Sequence, residues 1–494
     1  MNHRKLIPAA LLLLAAPVLL GQPIRLKAGA VARVPGRIRA GHVIVQFPGY
    51  PDAAVREDLV RRGLRVLEYV PDNALMVAAG PRADLSGLNV AWAGALEAED
   101  KISPLLAGQV SGAVLAVFHA DVEMPRARQV ARSLGFDAIE NPGLLPRQLV
   151  LSGPLARLKE LAEFDEVAYL MPASADLAAG VRVAGCAGAV TEAGPVGEYA
   201  LVGTGWPKDA AGKVALGYFI RNLTEKMDAA TARGEIESAL REWTKYSNVT
   251  MAPGTQGAAR TIDILFASGA HGDGYRFDGP GGTLAHTFYP APPNQETIAG
   301  DMHLDADEGW HAGSSVDLFS VALHEAGHAL GLGHTDRPGT AMYPYYRQVG
   351  GLSSDDIAGI QALYGAPATT PTPPTQPTQP TPPTQPTQPT QPTPPTQPTQ
   401  PTPDSTPPAL QITSPGLSIV STTAEAITIG GAASDNVAVL SVKWAVSTGG
   451  SGTASGTTSW SATVPLLVGT NVITVRAYDA AGNSAWRSLT AVRR

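Results

Sequence analysis

Apolar and polar positions recur with different periods along the chain, and the changes of period divide it. Residues 1–22 open with Arg4 and Lys5 and continue in an apolar run from Leu6 to Leu20. That is the composition and length of a secretory signal peptide, and the run is shorter than the roughly 20 apolar residues of a spanning helix. Export is expected, with no membrane span in the mature chain. From 36 to 175 the pattern passes twice through strand, helix, strand, strand. The first pass covers 43–47, a helical stretch ending at Gly63, 64–68 and 74–77. The second covers 114–118, a helical stretch ending at Gly135, 136–140 and 148–151, then helical spacing over 155–162 and a strand at 167–170. Farther on, 214–220 and 261–266 read as strands, and 230–246 sets Ile236, Ala239, Leu240 and Trp243 on the core face of a helix. A last helix of this region begins at Ser353, with Asp355 and Asp356 in its first turn and Ile357, Ile360 and Tyr364 on one side, and closes at Gly365. Residues 367–408 repeat Pro, Thr and Gln, which predicts an extended spacer of about 3.1 Å per residue. Short strands return at 427–429, 439–446 and 472–475, broken by Gly, Ser, Asp and Asn, and predict a β-sandwich over 409–494.

Length and composition fit this division. A chain of 494 residues with 44% hydrophobic content buries more than one core, so the fold class is multidomain. The net charge of −7 comes without a basic block, which argues against nucleic acid as a partner. A single cysteine, Cys186, excludes an internal disulfide.

Seven of the ten histidines fall between 271 and 334, and three of them stand in His324-Glu325-Ala326-Gly327-His328-Ala329-Leu330-Gly331-Leu332-Gly333-His334. Residues four apart share a helix face, so His324 and His328 can present two imidazoles to one metal ion. Gly331 and Gly333 can take positive φ, ending the helix and turning His334 in as a third ligand. Three ligands leave a tetrahedral position for a water whose pKa zinc lowers to about 7. Glu325, beside the first ligand, is placed as general base for that water.

This HExxHxxGxxH run, with Ala341-Met342-Tyr343-Pro344 as a Met-turn, resembles the metzincin zinc proteases. Within them, residues 210–366 are similar to the matrixins, or matrix metalloproteinases, because the segment from His271 to His286 matches their upstream metal-binding run. The resemblance implies an α+β catalytic domain, a mixed sheet plus helices, with catalytic zinc on His324, His328 and His334. It implies a structural zinc on His271, Asp273, His286 and His303. It also implies calcium held by Asp278, Asp305 and Glu308 with the carbonyls of Gly279, Gly281 and Thr283. Leu284 and Ala285 then lie on an edge strand that pairs with an extended peptide substrate, and residues 340–346 wall the specificity pocket.

By topology, 36–175 resembles the α+β pro-domains of secreted proteases, with a folding or docking module without inhibitory action as the other reading, and 176–209 joins it to the catalytic domain. Matrixins keep themselves latent with a cysteine on the zinc. Cys186 lies on the right side of the domain for that role, although its neighbours differ from the family's PRCGxPD pattern; an inert buried thiol is the other reading. Residues 409–494 resemble the immunoglobulin-like sandwiches of secreted bacterial enzymes, where Trp460 and Trp486 read either as core or as platforms for a polysaccharide or cell-surface ligand. The expected function is a secreted zinc endopeptidase acting on extracellular polypeptides, including the extracellular matrix. The competing reading is a non-catalytic, metal-stabilised adhesion protein that works through its sandwich.

Overall fold

Each of the two repeats closes a four-stranded antiparallel sheet in the computed structural model, which describes residues 24–31, 40–109, 112–198, 205–313, 316–367, 406, 408–417, 419–446, 451–479 and 484–494. The leader at 1–22 and nearly all of the spacer at 367–408 lie outside those residues. In the first repeat the sheet runs Leu64–Val70, Ala74–Ala79, Gly41–Gln46, Trp92–Gly94. In the second it runs Asp137–Ile139, Gln148–Ser152, Val114–Phe118, Val167–Pro172. With strands numbered by appearance within a repeat, both have the order 2-3-1-4, the split βαβ arrangement. The helices Ala53–Arg61 and Met124–Ser133 are each followed by a glycine in the left-handed region, Gly63 (φ 81°) and Gly135 (φ 79°), which lets the chain reverse into the next strand. The helix expected over 155–162 is split into a 3₁₀ turn at Leu155–Arg157 and a short helix at Leu158–Ala162.

The repeats meet at His42, whose ring bonds Asp121 (2.7 Å) and Asp165 (2.8 Å) and stacks on His119 with centroids 4.0 Å apart. Burial alone would raise Asp165, but hydrogen bonds from the His42 ring and backbone N–H outweigh it and bring the carboxyl down to about 2.

The second compact unit contains residues 140–146, 173–190 and the chain from 204 onward. Its central sheet includes β1 (Gly185–Thr191), β2 (Val214–Ile220), β3 (Val249–Pro253), β4 (Thr261–Ala267), β5 (Thr283–Phe288) and β6 (Met302–Asp305), in the order β1-β5-β6-β4-β2-β3. β2, β3, β4 and β6 run parallel, and β5 is antiparallel to β6. Three helices complete this part: α1 (Ala229–Thr244), α2 (Leu318–Ala329) and α3 (Ser354–Tyr364). Each starts on a side-chain cap, from Asp228, Asp317 and Ser353. Ile236, Ala239, Leu240 and Trp243 of α1 are buried as the periodicity predicts, and the Trp243 indole donates to the Leu323 carbonyl at 2.8 Å, locking α1 to α2.

In residues 409–494, strands Ala409–Ser414, Ala426–Ser434 and Ser459–Pro465 form one sheet. Ile419–Thr422, Ser484–Arg493, Gly469–Asp479, Val439–Val446 and Ser451–Thr453 form a second. Leu410, Ile429, Val442, Val464, Ile473 and Leu489 build the core between them. Trp460 is 3% exposed and belongs to that core, so it is no surface platform.

Candidate metal centres and catalytic cleft

α2 places His324 and His328 one turn apart with their rings 4.7 Å from centroid to centroid. His324 Nδ1 lies 2.6 Å from the Ala341 carbonyl and His328 Nδ1 lies 2.8 Å from that of Leu332. A carbonyl only accepts, so each proton sits on Nδ1 and each Nε2 turns a lone pair inward. The chain leaves the helix at Leu330, and Gly331 takes φ 97° to bring His334 back to the other two rings. Gly333, expected to share that role, is not among the positive-φ residues; one left-handed residue completes the turn. One nitrogen from each of the three histidines and Cys186 Sγ all lie within 4.8 Å of one another. The His328 Nε2 is buried without a hydrogen-bond partner among the described residues, and burial beside His324 and His334 keeps that ring neutral. Buried electron-pair donors converging on one point fit a zinc ion.

Glu325 is fully buried, and its Oε2 accepts from the Thr287 hydroxyl at 2.7 Å. Burial pushes the carboxyl up to about 7, against the lowering effect of hydrogen bonds with Cys186 and Thr287. The Met-turn is also held by a side chain: Asp356 accepts from the N–H groups of Ala341 and Met342, both at 3.1 Å. Neither role is visible in the sequence. Thr287 looks like any strand residue, and Asp356 is explained fully by its helix N-terminus until the fold brings 341–342 to it.

Leu284 and Ala285 lie on β5, but β5 is not the exposed edge expected from the sequence: the chain's own β1 covers it, pairing parallel with β5 through Cys186↔Ala285 and Val190↔Phe288. On the other side the Cys186 N–H donates to the Pro344 carbonyl (3.0 Å) and the Tyr346 N–H to that of Ala184 (2.8 Å). Residues 184–186 are therefore clamped between the edge and the pocket wall, the place expected for a peptide substrate. Gly188, at φ 88°, turns its N–H onto Cys186 Sγ at 3.2 Å, and a Cβ there would meet the His334 ring at 3.3 Å.

The second cluster is tighter. His271 Nε2, His286 Nε2 and His303 Nδ1 each lie 2.8 Å from Asp273 Oδ2. His271 Nδ1 faces the Gly269 carbonyl at 2.9 Å, so its Nε2 lone pair points at the carboxylate. Two electron-rich groups face to face need a cation between them, and three nitrogens with one oxygen fit a closed zinc site. Near it, Asp305 is fully buried, Glu308 accepts from the Gly281 N–H at 2.7 Å, and Asp278 accepts from the Thr283 N–H at 2.8 Å. Burial first, and then the neighbouring carboxylates, raise both Asp305 and Glu308. Gly279 (φ 85°) and Gly281 (φ 82°) wrap the loop closely. Oxygen donors that repel one another fit calcium.

Gly327, inside the metal-binding helix, has no room for a side chain: a Cβ would collide with Met342 Sδ and lie 2.8 Å from Trp243 Cζ2. Gly327→Ala is expected to destabilise the domain by about 1–3 kcal/mol, an overpacking cost, visible as a lowered midpoint in denaturant titration.

Residues 206–365 match the family model described as Matrixin, of the Peptidase_M10 type, and residues 22–97 match a domain of unknown function. The chain is 44% identical over 162 residues to macrophage metalloelastase of Rattus norvegicus, covering 32% of this chain and 34% of that protein. It is 39% identical over 189 residues to Matrix metalloproteinase-16 of Homo sapiens (35% and 30% covered) and 39% identical over 171 residues to karilysin of Tannerella forsythia (34% and 35%). The chain thus spans about a third of the length of the curated relatives it matches.

Proposed function

We propose that this chain, whose residues 206–365 are a matrixin-like metalloprotease domain, is a secreted zinc endopeptidase made as a latent precursor. The observation that carries the reading is Glu325: a buried carboxylate beside three converging imidazoles, held by the Thr287 hydroxyl. His324, His328 and His334 would hold a zinc ion, which would supply Lewis acidity for activating water and a peptide carbonyl. Glu325 takes the proton of the attacking water and delivers it to the leaving amine as the C–N bond breaks. The Thr287 hydroxyl fixes the carboxylate for both transfers. The substrate is an extracellular polypeptide whose main chain pairs with β5 over Leu284 and Ala285, the position that residues 184–186 hold in the precursor. His271, Asp273, His286 and His303 hold the structural zinc, and the loop from Asp278 to Thr283 with Asp305 and Glu308 holds calcium.

The signal-like leader supports export, and among the described residues no helix is long and apolar enough to cross a membrane. The two repeats of 36–175 serve as pro-region, with Cys186 as the latency ligand. The adhesion reading leaves the buried Glu325 without a purpose, and among the described residues a polysaccharide platform on the sandwich finds no support from Trp460.

The test is cleavage of an unfolded protein by the chain after removal of its first 204 residues, with zinc content measured and a chelator control. Chelator-sensitive cleavage with bound zinc is expected; zinc-loaded protein that cleaves nothing would overturn the proposal.

A further inference from the structure

The outer face of the larger sandwich sheet carries an unusual pair. Arg476 and Trp486 stand directly opposite each other on the neighbouring strands Gly469–Asp479 and Ser484–Arg493, so both point away from the sandwich core formed by Ile473, Val475 and Ala477. Arg476 is nevertheless only 9% exposed. Its guanidinium lies 3.8 Å above the centroid of Phe319 in the first turn of α2, Nη1 is 3.7 Å from Glu235 of α1, and Nη2 donates to the Val349 carbonyl at 3.2 Å. Trp486 lies against Gly350 and Gly351: a Cβ on Gly350 would enter the indole, and one on Gly351 would lie 2.5 Å from its Nε1. Two adjacent glycines give the ring a flat seat that any other residue would close.

The segment beneath these contacts follows directly on the pocket wall. Arg347 lines the pocket, and Ser320, another lining residue, receives the Val349 N–H at 2.9 Å. Ser320 is tied in turn to Asp317, the cap of α2, whose own N–H donates to the hydroxyl of the wall residue Tyr346 at 2.8 Å. Segment 347–351 is therefore fixed from inside by the cap of the catalytic helix and from outside by the sandwich.

We propose that the C-terminal sandwich docks on its own catalytic domain through Arg476 and Trp486, and that by clamping residues 349–351 it sets which side chains the specificity pocket accepts. The docking stands by itself; the effect on specificity rests on the peptidase reading. A desolvated guanidinium stacked on an aromatic ring and a tryptophan in a fitted seat are the anchors that dominate protein interfaces. The 367–408 spacer then acts as a tether that keeps the sandwich at high local concentration while this patch decides where it rests.

The test uses the full chain with a site-specific protease sequence inserted between residues 380 and 390. After cutting, the sandwich fragment of the wild type is expected to co-elute with the catalytic part on gel filtration, and the 349–351 amides to be protected from hydrogen exchange. Arg476→Ala with Trp486→Ala should release the fragment and speed that exchange by about tenfold or more. Gly351→Ala, placed on the catalytic side so that the sandwich core is untouched, should do the same. In mature enzyme the variants should shift the preference between a long and a short side chain in the pocket by about tenfold. Separation of the wild-type fragment, or unchanged exchange in the variants, would overturn the docking. Altered exchange with an unchanged cleavage profile would overturn the role in specificity. Wild type that keeps its fragment but cleaves no peptide would count against the peptidase reading and leave the docking in place.

Discussion

Glu325→Ala should abolish most peptide cleavage, lowering kcat by about 10²–10⁴-fold, the usual worth of a positioned general acid-base group, while zinc content stays at the wild-type level. The separation of the two readouts follows from the geometry. Glu325 sits on the same helix as His324 and His328, but it bonds Thr287 and Cys186 and is not one of the residues whose ligand atoms converge. Its removal takes no ligand from the metal. The substitution shortens a fully buried side chain, so Glu325→Gln is the companion variant: it keeps the volume and removes only the capacity to hold a proton. Both should be inactive and zinc-loaded. Loss of zinc from the Gln variant, or retention of more than about a tenth of wild-type kcat, would count against the assigned role.

Cys186→Ser should work in the opposite direction, raising the activity of the uncleaved chain about tenfold or more and leaving the trimmed enzyme unchanged. A thiolate is a strong zinc ligand and a neutral hydroxyl a poor one. Even about 1.4 kcal/mol lost from the closed state would open the cleft ten times more often. Closure does not rest on sulfur alone, because β1 is also held by its pairing with β5 and by the carbonyl of Pro344. The variant is accordingly expected to fall short of the fully trimmed enzyme. An uncleaved Ser variant as silent as the wild type would assign latency to the main-chain clamp and reduce Cys186 to an inert thiol.

The parts of this molecule that were legible in the sequence are those whose geometry is local. Histidines at i and i+4 need only a helix, and the duplicated pattern of strands and turn glycines at Gly63 and Gly135 needs only its own segment. Residues whose work depends on a distant partner were not legible. Thr287 and Glu325 are separated by 38 positions, and nothing in the strand pattern distinguishes a threonine that holds a catalytic carboxylate from one that fills a pleat. Asp356 reads completely as a helix-start acid, yet it also holds the Met-turn. Trp486 reads as core or platform, and what decides its place is a pair of glycines more than a hundred positions earlier. Departure from the family's PRCGxPD pattern likewise hid how Cys186 is held, since main-chain pairing leaves no side-chain signature.

The β1–β5 pairing also bears on solubility. β5 has Leu284 and Ala285 almost completely buried, and without β1 its outer side is a row of unsatisfied main-chain donors and acceptors. Such an edge pairs as readily with a second copy of itself as with a passing peptide. While β1 is in place, that margin is paired and closed to a neighbouring chain. If, as proposed, this segment is removed only after folding, that margin is exposed once the sheet behind it is complete, and the segment proposed to keep the enzyme latent also guards the folding chain against edge-to-edge aggregation.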